Sequence, residues 1–179
     1  RSIPQVLGAH VSVSGGLHNG ISNGEKFGCS AIQIFVKNPN RWQSKSLAQE
    51  EIDRFCQTWE VSDQIEEVIV HDIHLTNLAS PKPDVLEKSR QHFQAQIDLV
   101  CQLGVRYLVK HLGSHTGAGE SVGLQNLSQS LDFLLEETRH TDVVLLLETT
   151  AGQGANLGYL FEHIRRMIDD SRYPERLGV

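Results

Sequence analysis

Short apolar runs recur along the chain, and each is followed by a longer stretch in which apolar residues return at helical spacing. Apolar runs of this length are typical of strands buried on both faces of a parallel sheet. The predicted strands are 6–11, 31–36, 68–71, 107–111 and 143–148, and the predicted helices are 17–27, 46–59, 84–103, 121–138 and 157–169. The pattern therefore predicts five β–α units, with residues 176–179 starting a sixth strand near Leu177.

The spacing of the strands fits two architectures. Successive strands begin about 34 residues apart, so eight units would need about 272 residues, close to the roughly 250 residues of a (β/α)8 TIM barrel. An open, doubly wound sheet of five strands would also fit the 179 residues. Because the chain stops inside an apolar run at Val179, we predict an α/β fold of the TIM-barrel family. Residues 1–179 are expected to form a single domain with about five βα units, the three C-terminal units being absent.

Composition and charge narrow the possible partners. No run approaches the roughly 18 apolar residues of a membrane span, so no membrane partner is expected. Three widely spaced cysteines favour a reducing compartment, and we expect a cytoplasmic monomer. The 16 basic and 22 acidic side chains give a net charge of −6, so nucleic acid could bind only through a local patch or through metal ions.

Histidine or glutamate stands at the end of four predicted strands: His10, His71, His111 and Glu148. Side chains at the carboxyl ends of parallel barrel strands converge on one face, and imidazole nitrogens with a carboxylate suit zinc or a similar divalent metal. A single histidine after an apolar run is more often a hydrogen-bonded core or loop residue than a metal ligand. Glu148 is harder to explain in that way, because burying a carboxylate without a cation or hydrogen bonds is costly. His10 is either a fourth ligand or a hydrogen-bonding support for the others.

Three loops carry further candidate chemistry. The glycine-rich loops 113–119 and 152–158 match no nucleotide-binding fingerprint, and each is either a phosphate contact or a tight βα turn. Loop 37–45 puts Lys37, Arg41 and Lys45 around Trp42, which suits either nucleic acid or an ordinary solvated loop packed on the indole. The histidines of helices and helix ends are expected at the surface: His18, His92, His140 and His163.

Four segments together carry a family resemblance: GAHVSVSGGL (8–17), FVKNPNRW (35–42), HLGSH (111–115) and ETTAGQGANLG (148–158). The sequence resembles the endonuclease IV family of apurinic/apyrimidinic endonucleases, also called deoxyribonuclease IV, from about residue 7 to 179. The resemblance implies a TIM barrel with a cluster of three zinc ions that acts on damaged double-stranded DNA. It further implies cleavage on the 5′ side of an abasic site, which leaves a 3′-hydroxyl and a 5′-deoxyribose phosphate.

Roles carry over from the family by motif. His71 and His111 resemble its zinc ligands, and Glu148 resembles its catalytic glutamate that bridges two metals. The family's other ligands belong to strands 6 to 8, so these three residues would hold one zinc ion or part of two. The resemblance also implies supporting roles for His10 and His115. It implies DNA contacts through loops 37–45 and 71–78, at Asn40, Arg41, Trp42, His74 and Leu75, where the family commonly has Arg and Tyr in place of Asn40 and His74.

Two other functions fit parts of the same pattern. Metal-dependent sugar isomerases and epimerases gather histidine and glutamate at the strand ends of the same barrel. A non-catalytic fragment would follow from the three absent units and the open sheet edges. The segments ETTAGQG and KNPNRW favour the nuclease.

Overall fold

The fold is described by a computed structural model that covers residues 6–37, 42 and 47–179. The strands are β1 (Gly8–His10), β2 (Ala31–Ile34), β3 (Glu67–His71), β4 (Tyr107–His111), β5 (Val144–Glu148) and β6 (Leu177–Gly178). The helices are α1 (His18–Lys26), α2 (Gln49–Glu60), α3 (Pro83–Gln102), α4 (Glu120–Glu137) and α5 (Phe161–Asp169), and a short 3-10 turn spans Pro174–Arg176. The predicted alternation of strands and helices is confirmed, including the sixth strand.

All six strands form one parallel sheet in the order β1-β2-β3-β4-β5-β6. A doubly wound sheet reverses its strand order at a switch point, whereas this order follows the sequence without a reversal. The alternative of an open, doubly wound sheet is therefore wrong. The sheet and its intervening helices form part of a TIM barrel, as predicted.

The two faces of the sheet differ in their surroundings. One face packs against the helices, and its side chains belong to the apolar core: Ile32, Ile34, Val68, Val70, Leu108, Leu145 and Leu147. Alternate residues of the same strands point to the opposite face, where Gln33, Ile69, Tyr107 and Leu146 are only half-buried. This second face corresponds to the interior of a barrel. The candidate site lies on this face, where the strands have their carboxyl ends.

Helix α3 shows how local sequence sets the position of a strand. Pro83 occupies its first turn, where a missing N–H costs nothing, and Gly104 follows its end with a φ of +69°. Phe93 and Ile97 are fully buried against the sheet. The chain then turns directly into β4, so this helix fixes where that strand begins.

Two expectations from composition concern cysteines and membranes. Cys29, Cys56 and Cys101 are all unpaired in the structure. Within the described parts of the chain, every helix is too short or too polar to span a lipid bilayer.

Candidate metal centre

Three side chains from neighbouring strands meet at the carboxyl end of the inner face. His71, His111 and Glu148 are the last residues of β3, β4 and β5, and one ligand atom from each lies within 4.8 Å of the others. The strand register pairs His111 directly with Glu148. Glu148 Oε2 lies 3.0 Å from His71 Nε2 and 3.3 Å from His111 Nδ1. The structure thus brings together the three residues predicted to bind metal.

The hydrogen bonds of His71 determine which ring nitrogen faces the centre. His71 Nδ1 lies 2.7 Å from the carbonyl oxygen of Asp72, which can only accept, so Nδ1–H donates. In the neutral ring, Nε2 then carries a lone pair directed at Glu148 Oε2. Two acceptors this close require a proton or a cation between them. A backbone carbonyl that orients the far nitrogen is also the usual partner of a metal-bound histidine, so the residues present fit a divalent metal ion.

The three side chains of the centre differ in their burial. His71 is buried, whereas 36% of the His111 side chain and 39% of the Glu148 side chain are exposed. Desolvation lowers the pKa of His111 below its ordinary value, although the charge of Glu148 opposes this shift. His111 is therefore neutral at physiological pH, and the half-exposed carboxylate leaves the centre open to solvent.

His10 and Phe35 lie next to the three residues. Gln33 Nε2 donates to His10 Nδ1 over 3.0 Å, and the His10 ring lies 6.3 Å from the His71 ring. Phe35 packs between them, 4.5 Å from the His10 ring and 5.4 Å from the His71 ring. His10 thus lies beside the centre, in contact with Gln33 and Phe35, and is not one of the three converging residues. This position favours a role as hydrogen-bonding support over a role as a fourth ligand.

His74 is exposed beside the centre. Its ring lies 6.0 Å from that of His71 and 5.7 Å from that of His111. Leu75 follows it and is half-buried. Both residues line a groove of about 490 Å³ that also includes His111, Thr150 and Asn156. The predicted DNA-contacting residues of the β3–α3 loop therefore border the candidate centre.

The two glycine-rich loops pair with each other. Leu157 N donates to Gly113 O over 2.8 Å, His115 N donates to Ala155 O over 3.1 Å, and Ser114 and Asn156 form an antiparallel bridge. These N–H groups are therefore occupied within the protein. The contacts favour the interpretation of tight, mutually supporting βα turns over that of a phosphate cradle.

His115 and Trp42 both have structural partners. His115 Nδ1 accepts from the N–H groups of Gly117 and Gly119, at 3.3 and 3.1 Å, so it organises its own loop. The half-buried Trp42 packs on α3, with Lys88 Nζ 4.6 Å from its ring and the His92 ring 5.8 Å away. The indole of Trp42 therefore contacts α3. Asn40 and Arg41, also predicted to contact DNA, lie outside the described residues.

Sequence reasoning missed two groups near the site. Asn77 links the loops, since its Nδ2 donates to Ser114 O over 2.8 Å and its Oδ1 accepts from Ser114 N over 3.0 Å. Asp72 and Lys110 form an ion pair at 2.8 Å with both side chains 1% exposed. A lysine at a helix-facing position of a buried strand is a signal that could have revealed the pair.

The expectation that His163 lies at the surface is wrong. Its side chain is buried, and its Nδ1 accepts from Gly158 N over 3.1 Å. The ring of Tyr159 packs against it at 5.0 Å. The residue thus holds the end of the β5–α5 loop, which begins at Glu148.

The consecutive parallel sheet, with histidine and glutamate gathered at the strand ends of its inner face, defines a TIM-barrel protein with a candidate metal centre. Comparison with known proteins refines that class. The chain belongs to the xylose isomerase-like TIM-barrel family, whose sequence model matches residues 21–179.

Curated relatives support a closer relationship. A probable endonuclease 4 of Geotalea daltonii is 44% identical over 173 residues, which cover 97% of this chain and 60% of the relative. A probable endonuclease 4 of Chloroflexus aggregans is also 44% identical, with the same coverage. The chain therefore spans about 60% of the length of these relatives. The resemblance to the endonuclease IV family is confirmed.

Solved structures agree with this assignment. Endonuclease IV from Thermus thermophilus superposes with a TM-score of 0.78 at 26% identity, covering 92% of this chain and 60% of that one. A D-tagatose 3-epimerase-like protein superposes with a TM-score of 0.72 at 17% identity, covering 97% of this chain and 64% of that one. At that identity the epimerase similarity shows only the shared fold.

Proposed function

We propose that the protein is a zinc-dependent DNA-repair endonuclease. It hydrolyses the phosphodiester on the 5′ side of an abasic site, leaving a 3′-hydroxyl and a 5′-deoxyribose phosphate. The convergence of His71, His111 and Glu148 carries this proposal, together with relatives named probable endonuclease 4. In the proposal the two imidazoles and the carboxylate are metal ligands, and Glu148 is also the catalytic residue.

Each of the three residues has a defined part in the proposed chemistry. His71 presents the Nε2 lone pair that its bond to Asp72 leaves free, and His111 is kept neutral by burial. Among the described residues, both imidazoles contact Oε2 of Glu148, and the carboxylate would hold the metal together with them. A bound divalent ion lowers the pKa of a coordinated water and neutralises the phosphate.

The proposed substrate is double-stranded DNA with an abasic site. A nucleotide without its base is cheaper to flip out of the helix, which gives selectivity without reading a base. His74 and Leu75 border the groove beside the centre and would meet the displaced nucleotide. We assign further DNA contacts to Asn40, Arg41 and Trp42, and supporting roles to His10 and His115.

The extent of the chain limits what these residues do alone. In the proposal His71, His111 and Glu148 supply ligands for one zinc ion or part of two, whereas the family resemblance implies three zinc ions. We propose that residues 1–179 form one partial-barrel domain of a cytoplasmic monomer. Full cleavage activity is proposed for the complete polypeptide that carries this sequence.

The decisive experiment compares cleavage of a duplex bearing one abasic site with cleavage of the same duplex without it. Glu148→Ala in the complete polypeptide should lower the rate at least about 100-fold, because a metal ligand and its charge are lost. Glu162→Ala, which removes an exposed carboxylate of α5, is the matched control and should cleave normally. Undiminished cleavage by Glu148→Ala would contradict the proposal.

The alternative of a sugar isomerase or epimerase predicts a different result. Such a protein would interconvert a free ketose in the presence of divalent metal and leave abasic DNA intact. Measuring both reactions on one preparation distinguishes the two functions. Absence of both, in a complete polypeptide that holds no zinc, would favour a non-catalytic role.

A further inference from the structure

A buried ion pair lies directly behind the candidate metal centre, on the helix-facing side of the sheet. Asp72 follows His71 at the end of β3, and Lys110 precedes His111 at the end of β4. Successive residues of a strand point to opposite faces, so Asp72 and Lys110 face the helices while the two imidazoles face the centre. The Lys110 Nζ to Asp72 Oδ2 distance is 2.8 Å.

The pair is surrounded by protein. Both side chains are 1% exposed, and Lys110 Nζ lies 5.4 Å from the centre of the Phe93 ring of α3. Thr76 completes the group: its hydroxyl donates to Asp72 Oδ2 and contacts Lys110 Nζ, and its carbonyl oxygen accepts from that nitrogen over 3.0 Å. Lys110 thereby ties β4 to both ends of the segment 72–76.

Such a group is expensive to bury. Removing two charges from water costs several kcal/mol per ion, and apolar residues of similar volume often replace a buried pair without loss of stability. The neighbouring helix-facing positions, Val70 and Leu108, are apolar. The fold alone therefore does not require charges at these two positions.

We propose that Asp72 and Lys110 are positioning residues, which fix the two imidazoles of the candidate centre by locking the ends of β3 and β4 together. The inference rests on the proposed function, because it assigns the pair a purpose in metal binding. The link is direct, since the carbonyl of Asp72 is the acceptor that orients the His71 ring. An Asp72 N to Val109 O bond of 2.9 Å extends the strand pairing to the same point.

The test replaces the pair by apolar residues and measures metal binding and stability separately in the full chain. Lys110→Met alone leaves the buried Asp72 carboxylate without its charged partner. This variant should have both a lower melting temperature and a lower zinc affinity. The double variant Asp72→Val with Lys110→Met should melt near the wild-type temperature. It should nevertheless bind Zn²⁺ about 10- to 100-fold more weakly than wild type in a chelator competition. Loss of residues that orient metal ligands typically weakens metal binding by that factor.

A second readout needs no metal. In the metal-free wild-type chain, the ¹⁵N shifts of the His71 ring should report an Nδ1 that is protonated in every molecule, because Nδ1–H donates to the Asp72 carbonyl, and a proton shared between Nε2 and Glu148. In the double variant they should move toward the average of both tautomers. A purely structural pair would leave these shifts unchanged.

Leu134→Ala is the control for general destabilisation, because Leu134 is a fully buried residue of α4. It should lower the melting temperature and leave zinc affinity within twofold of wild type. Equal loss of affinity in this control would overturn the proposal, as would a double variant with wild-type affinity and tautomer. A double variant that cannot fold would also overturn it, because the pair would then serve the fold itself.

Failure of the proposed function gives a different result. A wild-type chain that binds no zinc contradicts the metal centre, whereas the ring shifts still test whether the pair orients His71. A chain that binds zinc equally well with and without the pair contradicts only the positioning role.

Discussion

Burial favours the uncharged form of three imidazoles, those of His10 and His111 beside the candidate centre and that of His92 on α3, because burial costs a charged ring more than an uncharged one. Desolvation is the main reason that the pKa values of His10, His92 and His111 are all lowered. For His92 the charge of Lys37 lowers the pKa further, and that of Lys110 does so too, while Asp72 opposes them. The Nε2 atom of His92 is also buried without a hydrogen-bond partner among the described residues.

Acid should destabilise the fold through His92. Its folded pKa is below the ordinary value of 6.5, so the unfolded chain binds a proton more readily as pH falls. The stabilising effect of a neutral His92 is complete above pH 6.5 and is lost as pH drops through the folded pKa. We expect the free energy of unfolding, measured with urea, to fall between pH 7.5 and pH 5.5 in both proteins. The decrease should be smaller in His92→Gln than in wild type.

The matched control for this prediction is His140→Gln. His140 is exposed, with 64% of its side chain accessible, and its Nε2 lies 3.2 Å from Asp98 Oδ1. Its replacement should not reduce the loss of stability in acid. An identical pH dependence in wild type and His92→Gln would show that His92 does not contribute.

At the level of elements, the β5–α5 loop shows how backbone geometry supports the site. The loop begins at Glu148, and near its other end Thr150 N donates to Gly158 O over 3.0 Å. Gly158 has a φ of +95°, and a Cβ placed there would lie 3.1 Å from Glu148 O. Only glycine tolerates both the positive φ and the close approach to Glu148 O without strain. This explains why glycine ends the segment ETTAGQGANLG.

Gly158→Ala should therefore lower the free energy of unfolding by about 1–2 kcal/mol and weaken zinc binding, because it disturbs the backbone of Glu148. Gly154→Ala is the control, since Gly154 also has a positive φ, +62°, but its Cβ would meet nothing within 4 Å. The control should retain zinc affinity. Chemical denaturation and chelator competition measure both effects, and equal zinc affinities in the two variants would contradict the role of the Gly158 contact.

The sequence predicted the elements better than the contacts between loops. Apolar periodicity located all six strands, and their ends identified His71, His111 and Glu148, because parallel strands bring equivalent ends together. The bonds from Asn77 to Ser114 could not be predicted, since they join residues 37 positions apart whose loops meet only in the folded protein. Burial of His163 was missed because histidine is a polar residue, although its position four residues before the buried Met167 places it on the apolar face of α5.

At the scale of the molecule, the net negative charge of residues 1–179 opposes binding of the proposed substrate, because DNA is also negatively charged. Residues 1–179 carry a net charge of −6, so this part of the polypeptide repels the phosphates of DNA unless cations intervene. In the proposed function, metal ions held by imidazoles and carboxylates make the cleft locally positive. Metal binding would then be needed for substrate association as well as for chemistry.

Binding of abasic duplex by the complete polypeptide should consequently depend on metal. Removing metal with EDTA should weaken binding at least about tenfold, because cations that offset phosphate repulsion are lost. Fluorescence anisotropy at constant ionic strength measures the change, and adding Zn²⁺ in excess of the chelator should restore affinity. Tight binding by the metal-free protein would locate the cationic contacts in side chains instead.

The consecutive strand order has a consequence for folding during synthesis. Among the residues that the structure describes, each strand of the sheet pairs with its neighbours in sequence alone, so pairing can proceed as the chain leaves the ribosome. The last of the three converging side chains, Glu148, emerges after both histidines. The three candidate ligands can therefore meet only when translation has passed β5, so that, in the proposed function, metal binding at this centre would follow the pairing of β4 with β5.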